Sequence, residues 1–276
     1  MKEVPDQNLP EGTGALRLFS DYLRVTGVAH TAPEPCGDPR LVGKRLGLLN
    51  GSAWITLWSN YFGRLYLPGV HLVNAGNEAV QINFMEAHDS GLPDLPTENL
   101  SAFQGYALDL VKLGHVDAIL ITCSTMNRAY PQVQAVVQPY GIPVRQVDRP
   151  MMERAVEHGG RILVIATHGP TVESTRALLM EVAVGMGREA LVTGLLVKPA
   201  WDALARGEVE EHNAILAETI REQVKSQETG CVVLAQLSMS IFLLSHPDPL
   251  KEFGLPVFTS GQCGFEALRA VLESKV

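Results

Sequence analysis

Two successive series of apolar segments, separated by helical patterns, are the feature that most constrains how this chain folds. The first series is Leu46–Asn50, Val70–Asn74, Ala118–Thr122 and Pro143–Val147. The second series is Arg161–Ala166, Ala190–Val197, Val232–Ala235 and Pro256–Phe258. Short runs of branched apolar residues between turn residues indicate buried strands. Because strands that alternate with helices form parallel sheets, the sequence predicts an α/β fold.

Helical periodicity is clear in two of the segments between the strands. One apolar stripe comprises Leu100, Phe103, Ala107 and Leu110. The other comprises Val209, Leu216, Ile220 and Val224, with glutamates on the opposite side. Apolar residues at this spacing indicate helices that pack one face against a sheet.

The two series resemble each other in the residues that follow their strands. Two pairs of segments correspond: Leu48–Ser52 with Val164–Gly169, and Ile119–Thr125 with Val232–Ser238. We therefore predict two similar Rossmann-like α/β domains with parallel sheets, related by a pseudo-twofold axis. Ligands of parallel sheets bind beyond the carboxyl ends of the strands. The corresponding loops of both domains are thus expected to face one interdomain cleft that holds the active site.

The expected domain limits follow from these two series. Residues 1–44 are rich in proline and polar residues and are expected to form an N-terminal extension, with one helix near Ala15–Arg24. Residues 45–150 are expected to form the first α/β domain and residues 151–261 the second. The last helical pattern, within residues 262–276, is expected to pack back on the first domain.

The composition argues against several classes of function. The chain has 276 residues, a net charge of −8 and no basic cluster, which argues against nucleic-acid binding. No apolar run approaches the ~18 residues of a membrane span, and the first residues lack the apolar core of a signal peptide. The four cysteines, at positions 36, 123, 231 and 263, lack the spacing of a disulfide framework or a zinc site. We therefore expect a cytoplasmic protein with free thiols and without a bound metal.

Cys123 has the sequence context best suited to chemistry. It follows the apolar run Ile119–Ile121 and precedes polar residues up to Asn127, after which a helical pattern begins. A thiol between a strand and a helix faces the unsatisfied N–H groups of that helix, which favour the thiolate. Because free cysteine is also among the most buried residue types, a purely structural role is the alternative.

These residues resemble the aspartate/glutamate racemase superfamily, which includes PLP-independent amino-acid racemases, hydantoin racemases, maleate isomerases and arylmalonate decarboxylases. Thr122–Thr125 matches the family's strand that ends in Cys-Asn/Ser-Thr. Ala166–Thr171 approaches the turn that opens the second domain, and Pro256–Leu268 matches a late pattern that contains Ser260 and Glu266. The resemblance covers about residues 45–276 and implies an enzyme that uses no cofactor.

The chain departs from the two-base members of that superfamily after the corresponding strand of the second domain. Those members carry a second cysteine where this sequence has Gln236, and glutamine cannot exchange a proton near neutral pH. His168 and Ser238 are the nearest replacements for the second acid, and of these His168 alone titrates near pH 7. Asn50 occupies the region where glutamate racemases carry an acid.

The resemblance and the loop positions together suggest roles for individual residues. Cys123 is a candidate acid, base or nucleophile, and His168 is the second candidate catalytic residue. The loops after the strands are expected to donate hydrogen bonds to a substrate carboxylate, although serines and threonines there can instead merely cap helices. The candidate substrate-binding residues are Asn50, Gly51, Ser52, Ser124, Thr125, Asn127, Thr167, Thr171, Gln236 and Ser238.

Two further segments near the strand ends have competing interpretations. The aromatic residues of Trp54–Tyr66 recur at helical spacing, which favours a helix packed on the sheet over an apolar wall for a bulky substrate. The polar segment Asn74–Pro96 is expected to be a mobile loop over the cleft.

The preferred hypothesis is a cofactor-independent isomerase of racemase type that acts at the carbon alpha to a carboxylate of a small acid or amino acid. A single thiol also suits a decarboxylase, another lyase or a cis–trans isomerase of the same fold, and a thiol hydrolase with His168 as base is a weaker alternative. A non-catalytic protein that binds small carboxylates is the alternative from another class. The expected partner is a small carboxylate substrate, and the expected assembly is a homodimer.

Overall fold

Two parallel sheets organise the chain. The computed structural model describes residues 11–27, 36–92, 95–226 and 228–274. Parts of the predicted extension, residues 1–10 and 28–35, lie outside the described residues. The first sheet comprises β1 (Arg45–Leu49), β2 (His71–Ala75), β3 (Ala118–Ile121) and β4 (Val144–Gln146). The second comprises β5 (Arg161–Ala166), β6 (Leu191–Leu196), β7 (Cys231–Leu234) and β8 (Val257–Thr259).

The two sheets have the same topology. Their strand orders are β2-β1-β3-β4 and β6-β5-β7-β8, and every neighbouring pair is parallel. Each of the eight strands agrees with the sequence prediction to within one residue at either end. The predicted fold class, two similar α/β domains with parallel sheets, is therefore confirmed.

Helices connect the strands and cover both faces of each sheet. In the first half they are α1 (Thr13–Thr26), α2 (Ala53–Tyr66), α3 (Glu78–Asp89), α4 (Thr97–Lys112), α5 (Tyr130–Val137) and α6 (Arg149–His158). In the second half they are α7 (Gly169–Gly185), α8 (Lys198–Ala205), α9 (Val209–Ser226), α10 (Phe242–Ser245), α11 (Pro249–Phe253) and α12 (Ser260–Glu273). Short 3₁₀ segments are Ser124–Ala129, Gln138–Tyr140 and Leu237–Ile241. None of the described helices is long and apolar enough to cross a membrane.

Alternate residues of the strands face two separate cores, as expected for sheets that are buried on both sides. In the first sheet, Leu46 and Leu120 pack into one apolar cluster, whereas Ile119 and Ile121 pack into another. The second sheet divides its strand residues between two clusters in the same way. This double burial explains why the inner strands β1, β3, β5 and β7 are continuous apolar runs in the sequence.

The last helix joins the two domains. α12 begins directly after β8 of the second sheet, and its Phe265, Leu268 and Leu272 pack with Leu46 and Leu48 in the core of the first sheet. Each of these five side chains is buried. The relative placement of the sheets therefore depends on this helix.

One prediction for the region after β2 is wrong. The segment expected to be a mobile loop contains the helix α3, which begins after Asn77. The Asn77 side chain accepts a hydrogen bond from the backbone N–H of Ala79 (2.7 Å), as a helix N-cap does. Val80, Phe84 and Ala87 are the buried residues of this helix, and their spacing is helical. The many polar residues on its other face obscured that pattern.

Candidate active site

Loops that follow four strands, two from each sheet, line one cavity of about 250 Å³. These strands are β1 and β3 of the first domain and β5 and β7 of the second. The cavity brings together eight of the residues predicted from the sequence: Ser52, Cys123, Ser124, Thr125, His168, Thr171, Gln236 and Ser238. A larger cavity beside β2, of about 950 Å³, is lined by neither Cys123 nor His168. The meeting of the four loops at one site agrees with the expected interdomain cleft.

Cys123 is held in a nearly closed environment. The residue is only 2% exposed, and its Sγ lies 3.1 Å from Thr125 Oγ1 and 4.0 Å from Gln81 Oε1. Burial raises the pKa of the Cys123 thiol, although the Thr125 hydroxyl and the backbone N–H groups of Met126 and Thr125 oppose this effect. The predicted thiolate is therefore wrong for the resting protein, because desolvation outweighs the N–H groups that follow the strand.

Gly51 makes room for the thiol from the opposite loop. A Cβ atom at this position would lie 2.9 Å from Cys123 Sγ and 3.4 Å from Cys123 Cβ. Gly51 is buried and lies beside the thiol without lining the cavity. Gly51 is thus close to the Cys123 thiol, and its missing side chain is what allows that closeness.

His168 approaches the cavity from the second domain, directly before α7. Its ring packs edge-on against Trp201, with ring centroids 5.7 Å apart and planes at 71°. Burial lowers the pKa of the His168 imidazole and the charge of His88 lowers it further, while Asp89 opposes them. The imidazole is therefore mainly neutral at pH 7, when it can accept a proton.

Gln236 occupies the loop after β7 and links it to the loop after β5. Its Oε1 accepts hydrogen bonds from the backbone N–H of Thr167 (2.7 Å) and from Thr167 Oγ1 (2.9 Å). Thr167, a predicted substrate-binding residue, is buried and does not line the cavity. Thr167 instead orients Gln236, whose side chain does line the cavity.

The structure does not bring Asn50 into the cavity. Its side chain is 1% exposed, and Oδ1 accepts hydrogen bonds from Thr122 (2.5 Å) and Ser59 (3.1 Å). Its Nδ2 donates to Asn74 Oδ1 at 2.9 Å. The predicted substrate-binding residue Asn50 therefore does not line the cavity, because its side chain is held in a polar network beneath the strand ends.

Asn127 also lies behind the cavity rather than in it. Its Nδ2 donates to Asp148 Oδ2 at 2.5 Å, and its carbonyl oxygen accepts from Gln146 Nε2 at 2.8 Å. Asp148 follows β4, and the sequence analysis did not single it out. Burial raises the pKa of Asp148 to about 6, against the hydrogen bonds of Ser124, Ser260 and Asn127. Asn127, a predicted substrate-binding residue, thus supports a buried carboxyl group and does not line the cavity.

Six cavity residues were absent from the predicted site. They are Trp54 and Ile55 of α2, Gln81 and Met85 of α3, Trp201 of α8, and Leu237. Trp54 and Trp201 come from different domains and meet edge to face, with ring centroids 5.4 Å apart and planes at 62°. The preferred helical interpretation of Trp54–Tyr66 is correct, but Trp54 also forms part of an apolar wall. Gln81 and Met85 are four residues apart, and this helical spacing is the pattern from which α3 could have been predicted.

The other cysteines lie outside the cavity. Cys231 is buried in β7 and Cys263 in α12, whereas Cys36 is exposed. Within the described ranges, no group of three or more His, Cys, Asp and Glu side chains is arranged to hold a metal ion. The cavity therefore offers Cys123 and His168, one from each domain, as its titratable groups among the described residues, surrounded by hydroxyl and amide donors.

A family model now gives this geometry its context. The model for the Asp/Glu/hydantoin racemase family matches residues 79–268. The chain belongs to this family. The match spans the loops that carry Cys123, His168 and Gln236, and it confirms the resemblance inferred from the motifs. Among curated proteins, no significant match to the chain is found.

Solved structures of racemases share the fold of this family member at low sequence identity. An aspartate racemase homologue from Pyrococcus horikoshii OT3 is 16% identical, with a TM-score of 0.62 over 84% of this chain and 100% of that chain. Allantoin racemase from Klebsiella pneumoniae is 18% identical, with a TM-score of 0.56 over 85% and 89%. Picrophilus torridus aspartate racemase is 14% identical, with a TM-score of 0.57 over 83% and 94%. At these identities the likeness establishes the fold alone.

Proposed function

We propose that this protein is a cofactor-independent racemase that acts at the carbon alpha to a carboxylate of a small acid. The observation that carries the proposal is the pairing of Cys123 and His168 across one cavity, each from a different domain. Racemisation needs a base on one face of the reacting carbon and an acid on the other. A thiol and an imidazole meet this need where two-base relatives use two thiols.

The pKa directions of the two groups define the resting state. Burial keeps the Cys123 thiol protonated, and burial together with His88 keeps His168 neutral. In one direction His168 removes the α-proton while the Cys123 thiol delivers its own proton to the opposite face. The products on the enzyme are an imidazolium and a thiolate. The other enantiomer reacts with that charged form, which has the same total number of protons as the neutral pair.

The negative charge that develops on the substrate must be stabilised by the cavity. When the α-proton leaves, charge moves onto the carboxylate oxygens. Preorganised donors at such a position are usually the largest single contribution to catalysis. The cavity supplies hydroxyl groups and two amides: Ser52, Thr125, Thr171, Ser238, Gln81 and Gln236. These neutral donors suit a carboxylate that gains charge during the reaction.

Proton NMR in D₂O tests the proposal directly. The panel comprises both enantiomers of aspartate, glutamate, mandelate and 2-phenylpropionate, together with hydantoins, maleate and substituted malonates. Wild-type protein is expected to exchange the α-proton of both enantiomers of its substrate and to interconvert them. Cys123→Ala and His168→Asn should each abolish interconversion. Cys263→Ala, which removes another buried thiol outside the cavity, is the matched control and should keep the activity.

Four other results would change the assignment or the mechanism. Release of CO₂ or elimination that depends on Cys123 would assign a lyase, and isomerisation of maleate would assign a cis–trans isomerase. Saturable carboxylate binding without any turnover would indicate the non-catalytic binding protein. Full racemase activity in Cys123→Ala or His168→Asn would remove that residue from the mechanism.

A further inference from the structure

We infer that the substrate carries a single negative charge, its carboxylate, and a bulky, flat apolar substituent on the reacting carbon. This inference rests on the proposed function, because it takes the cavity around Cys123 and His168 as the reaction site. Such a substrate differs from aspartate and glutamate, because each of those amino acids carries a second carboxylate in its side chain.

The first support is the apolar wall of the cavity. Trp54, Ile55, Met85, Trp201 and Leu237 all line it, and they come from both domains. The two indole rings contact each other edge to face across the domain boundary. Aromatic and aliphatic walls of this kind bind apolar groups, and flat rings pack well against indole edges and faces.

The second support is the lack of fixed charge. Among the described residues that line the cavity there is no Lys, Arg, Asp or Glu. A second carboxylate would lose its hydration without gaining a cationic partner, which is strongly unfavourable. An ammonium group would likewise find no carboxylate in this lining. The hydroxyl and amide donors named above are sufficient for one carboxylate.

The chemistry of the reacting carbon agrees with this selection. Without a charged group beside it, an α-proton of a simple carboxylic acid is only weakly acidic. A flat aromatic substituent on the same carbon delocalises the negative charge as the proton leaves. The apolar wall would therefore hold the group that makes proton removal feasible, and it would do so beside His168, whose ring contacts Trp201.

The size of the cavity restricts the substituent to about one ring. Its volume of about 250 Å³ falls below the ~300–1,000 Å³ of pockets for drug-sized ligands. Mandelate and 2-phenylpropionate, each with one carboxylate and one phenyl ring, are suitable probes. Aspartate, glutamate and succinate are the doubly charged comparators.

Binding should be measured on the Cys123→Ala protein, which cannot complete the proposed reaction. Calorimetry or tryptophan fluorescence is expected to give at least about tenfold tighter binding for 2-phenylpropionate or mandelate than for aspartate, glutamate or succinate. Equal or tighter binding of a doubly charged acid would overturn the inference, and so would no binding of either aromatic acid at millimolar concentration. Because no turnover is involved, absence of proton exchange in wild-type protein counts against the racemase proposal alone.

Two substitutions test the wall and the charge separately. Trp201→Ala should weaken 2-phenylpropionate binding by about tenfold and leave succinate binding unchanged. Met85→Lys, which adds a cation to the cavity, should shift the preference towards succinate by at least about tenfold. Met180→Lys is the matched control, because Met180 is 44% exposed on α7 and does not line the cavity. An unchanged preference in Met85→Lys, or an equal shift in Met180→Lys, would overturn the inference even if Trp201→Ala fails to fold.

Discussion

At the scale of single residues, the fit between Gly51 and Cys123 leads to the first prediction. Gly51→Ala would bring a methyl group within 2.9 Å of the thiol sulfur, so Cys123 must move. A small displacement of a reacting group is costly, and we expect kcat to fall by about a hundredfold with the protein still folded. The rate of α-proton exchange by NMR measures this effect.

Gly169 provides a matched control for Gly51. It follows the corresponding strand of the second domain, and a Cβ atom there would meet nothing within 4 Å. Gly169→Ala should therefore keep most of the activity. If Gly51→Ala reacts as fast as Gly169→Ala, the thiol does not need the space that Gly51 leaves.

The second prediction concerns the pH dependence of the reaction. The His168 pKa is lowered from 6.5, and the Cys123 pKa is raised from 9.0. The active form has one proton shared between the two groups, so activity is lost when His168 becomes protonated at low pH or the thiol is deprotonated at high pH. We expect kcat/KM to be flat between pH 6.5 and 9.0, with both limbs outside that interval.

The alkaline limb can be assigned to Cys123 by measuring how fast iodoacetamide alkylates its thiol at different pH values. Iodoacetamide should alkylate Cys123 slowly at pH 7 and faster along the alkaline limb, because the thiolate is the nucleophile. If iodoacetamide alkylates Cys123 at pH 7 faster than the exposed Cys36, that result would contradict a raised pKa of the Cys123 thiol. The sequence could reveal the position of Cys123 after a strand, but it could not reveal the burial that reverses the expected pKa shift.

At the scale of structural elements, the Asn50 network joins three strands and one helix, and it gives the third prediction. Asn50 accepts from Thr122 after β3 and from Ser59 of α2, and it donates to Asn74 of β2. Asn50→Ala removes these three hydrogen bonds, while Thr122, Ser59 and Asn74 each keep another partner. Each lost bond costs roughly 0.5–1.5 kcal/mol, so we expect the free energy of unfolding to fall by about 3 kcal/mol.

Urea denaturation measures that loss, and a second asparagine serves as the control. Asn83 donates one hydrogen bond, to Asn99 at 2.8 Å, from a partly exposed position. Asn83→Ala should lower the free energy of unfolding by about 1 kcal/mol. A variant at Asn50 that retained full stability but raised KM would restore the predicted substrate contact.

The loops after β5 and β7 give the fourth prediction, through Gln236. Gln236→Glu keeps an oxygen that accepts both hydrogen bonds from Thr167, so the loops should hold their positions. It also adds a negative charge to the proposed binding site of the substrate carboxylate, and we expect KM to rise by at least about tenfold with little change in Tm. Steady-state kinetics and thermal unfolding separate the two effects; an unchanged KM would show that the substrate carboxylate lies elsewhere.

The secondary structure explains which elements were predictable. The inner strands β1, β3, β5 and β7 are buried on both faces and are continuous apolar runs, which made them predictable. The edge strand β6 is largely exposed and was found from its short run of apolar residues between turn residues. α3 was missed because few of its residues are buried, and with it Gln81 and Met85 of the cavity were missed as well. Amphipathic helices that cover a cleft carry many polar residues, and their sequence resembles that of a loop.

At the scale of the whole molecule, the repeat of strand order allowed the cleft to be predicted, but not the contacts across it. The corresponding loops of the two sheets do meet at one cavity. The contact between Trp54 and Trp201 depends on how the domains are placed relative to one another. No local periodicity encodes that placement, because it arises from packing between distant segments. α12, which crosses from the second sheet to the core of the first, is one of its main determinants.

Gly264 of α12 allows the role of this helix to be tested. A Cβ atom at Gly264 would lie 2.5 Å from the carbonyl oxygen of Val147 and 2.8 Å from its Cγ2. Backbone cannot yield as a flexible side chain does, so Gly264→Ala must push α12 away from the end of β4. Overpacking costs about 1–3 kcal/mol, which exceeds the ~1 kcal/mol that alanine gains over glycine within a helix.

Gly105→Ala is the control for this substitution. Gly105 is an exposed residue of α4 where a Cβ atom meets nothing within 4 Å, so only the gain in helix stability applies. We therefore expect Gly264→Ala to be less stable than wild type in urea. It should also bind 2-phenylpropionate more weakly, because displacement of α12 changes the position of one domain relative to the other. Equal stability of the two alanine variants would mean that α12 can shift without cost and that the cleft is positioned by other contacts.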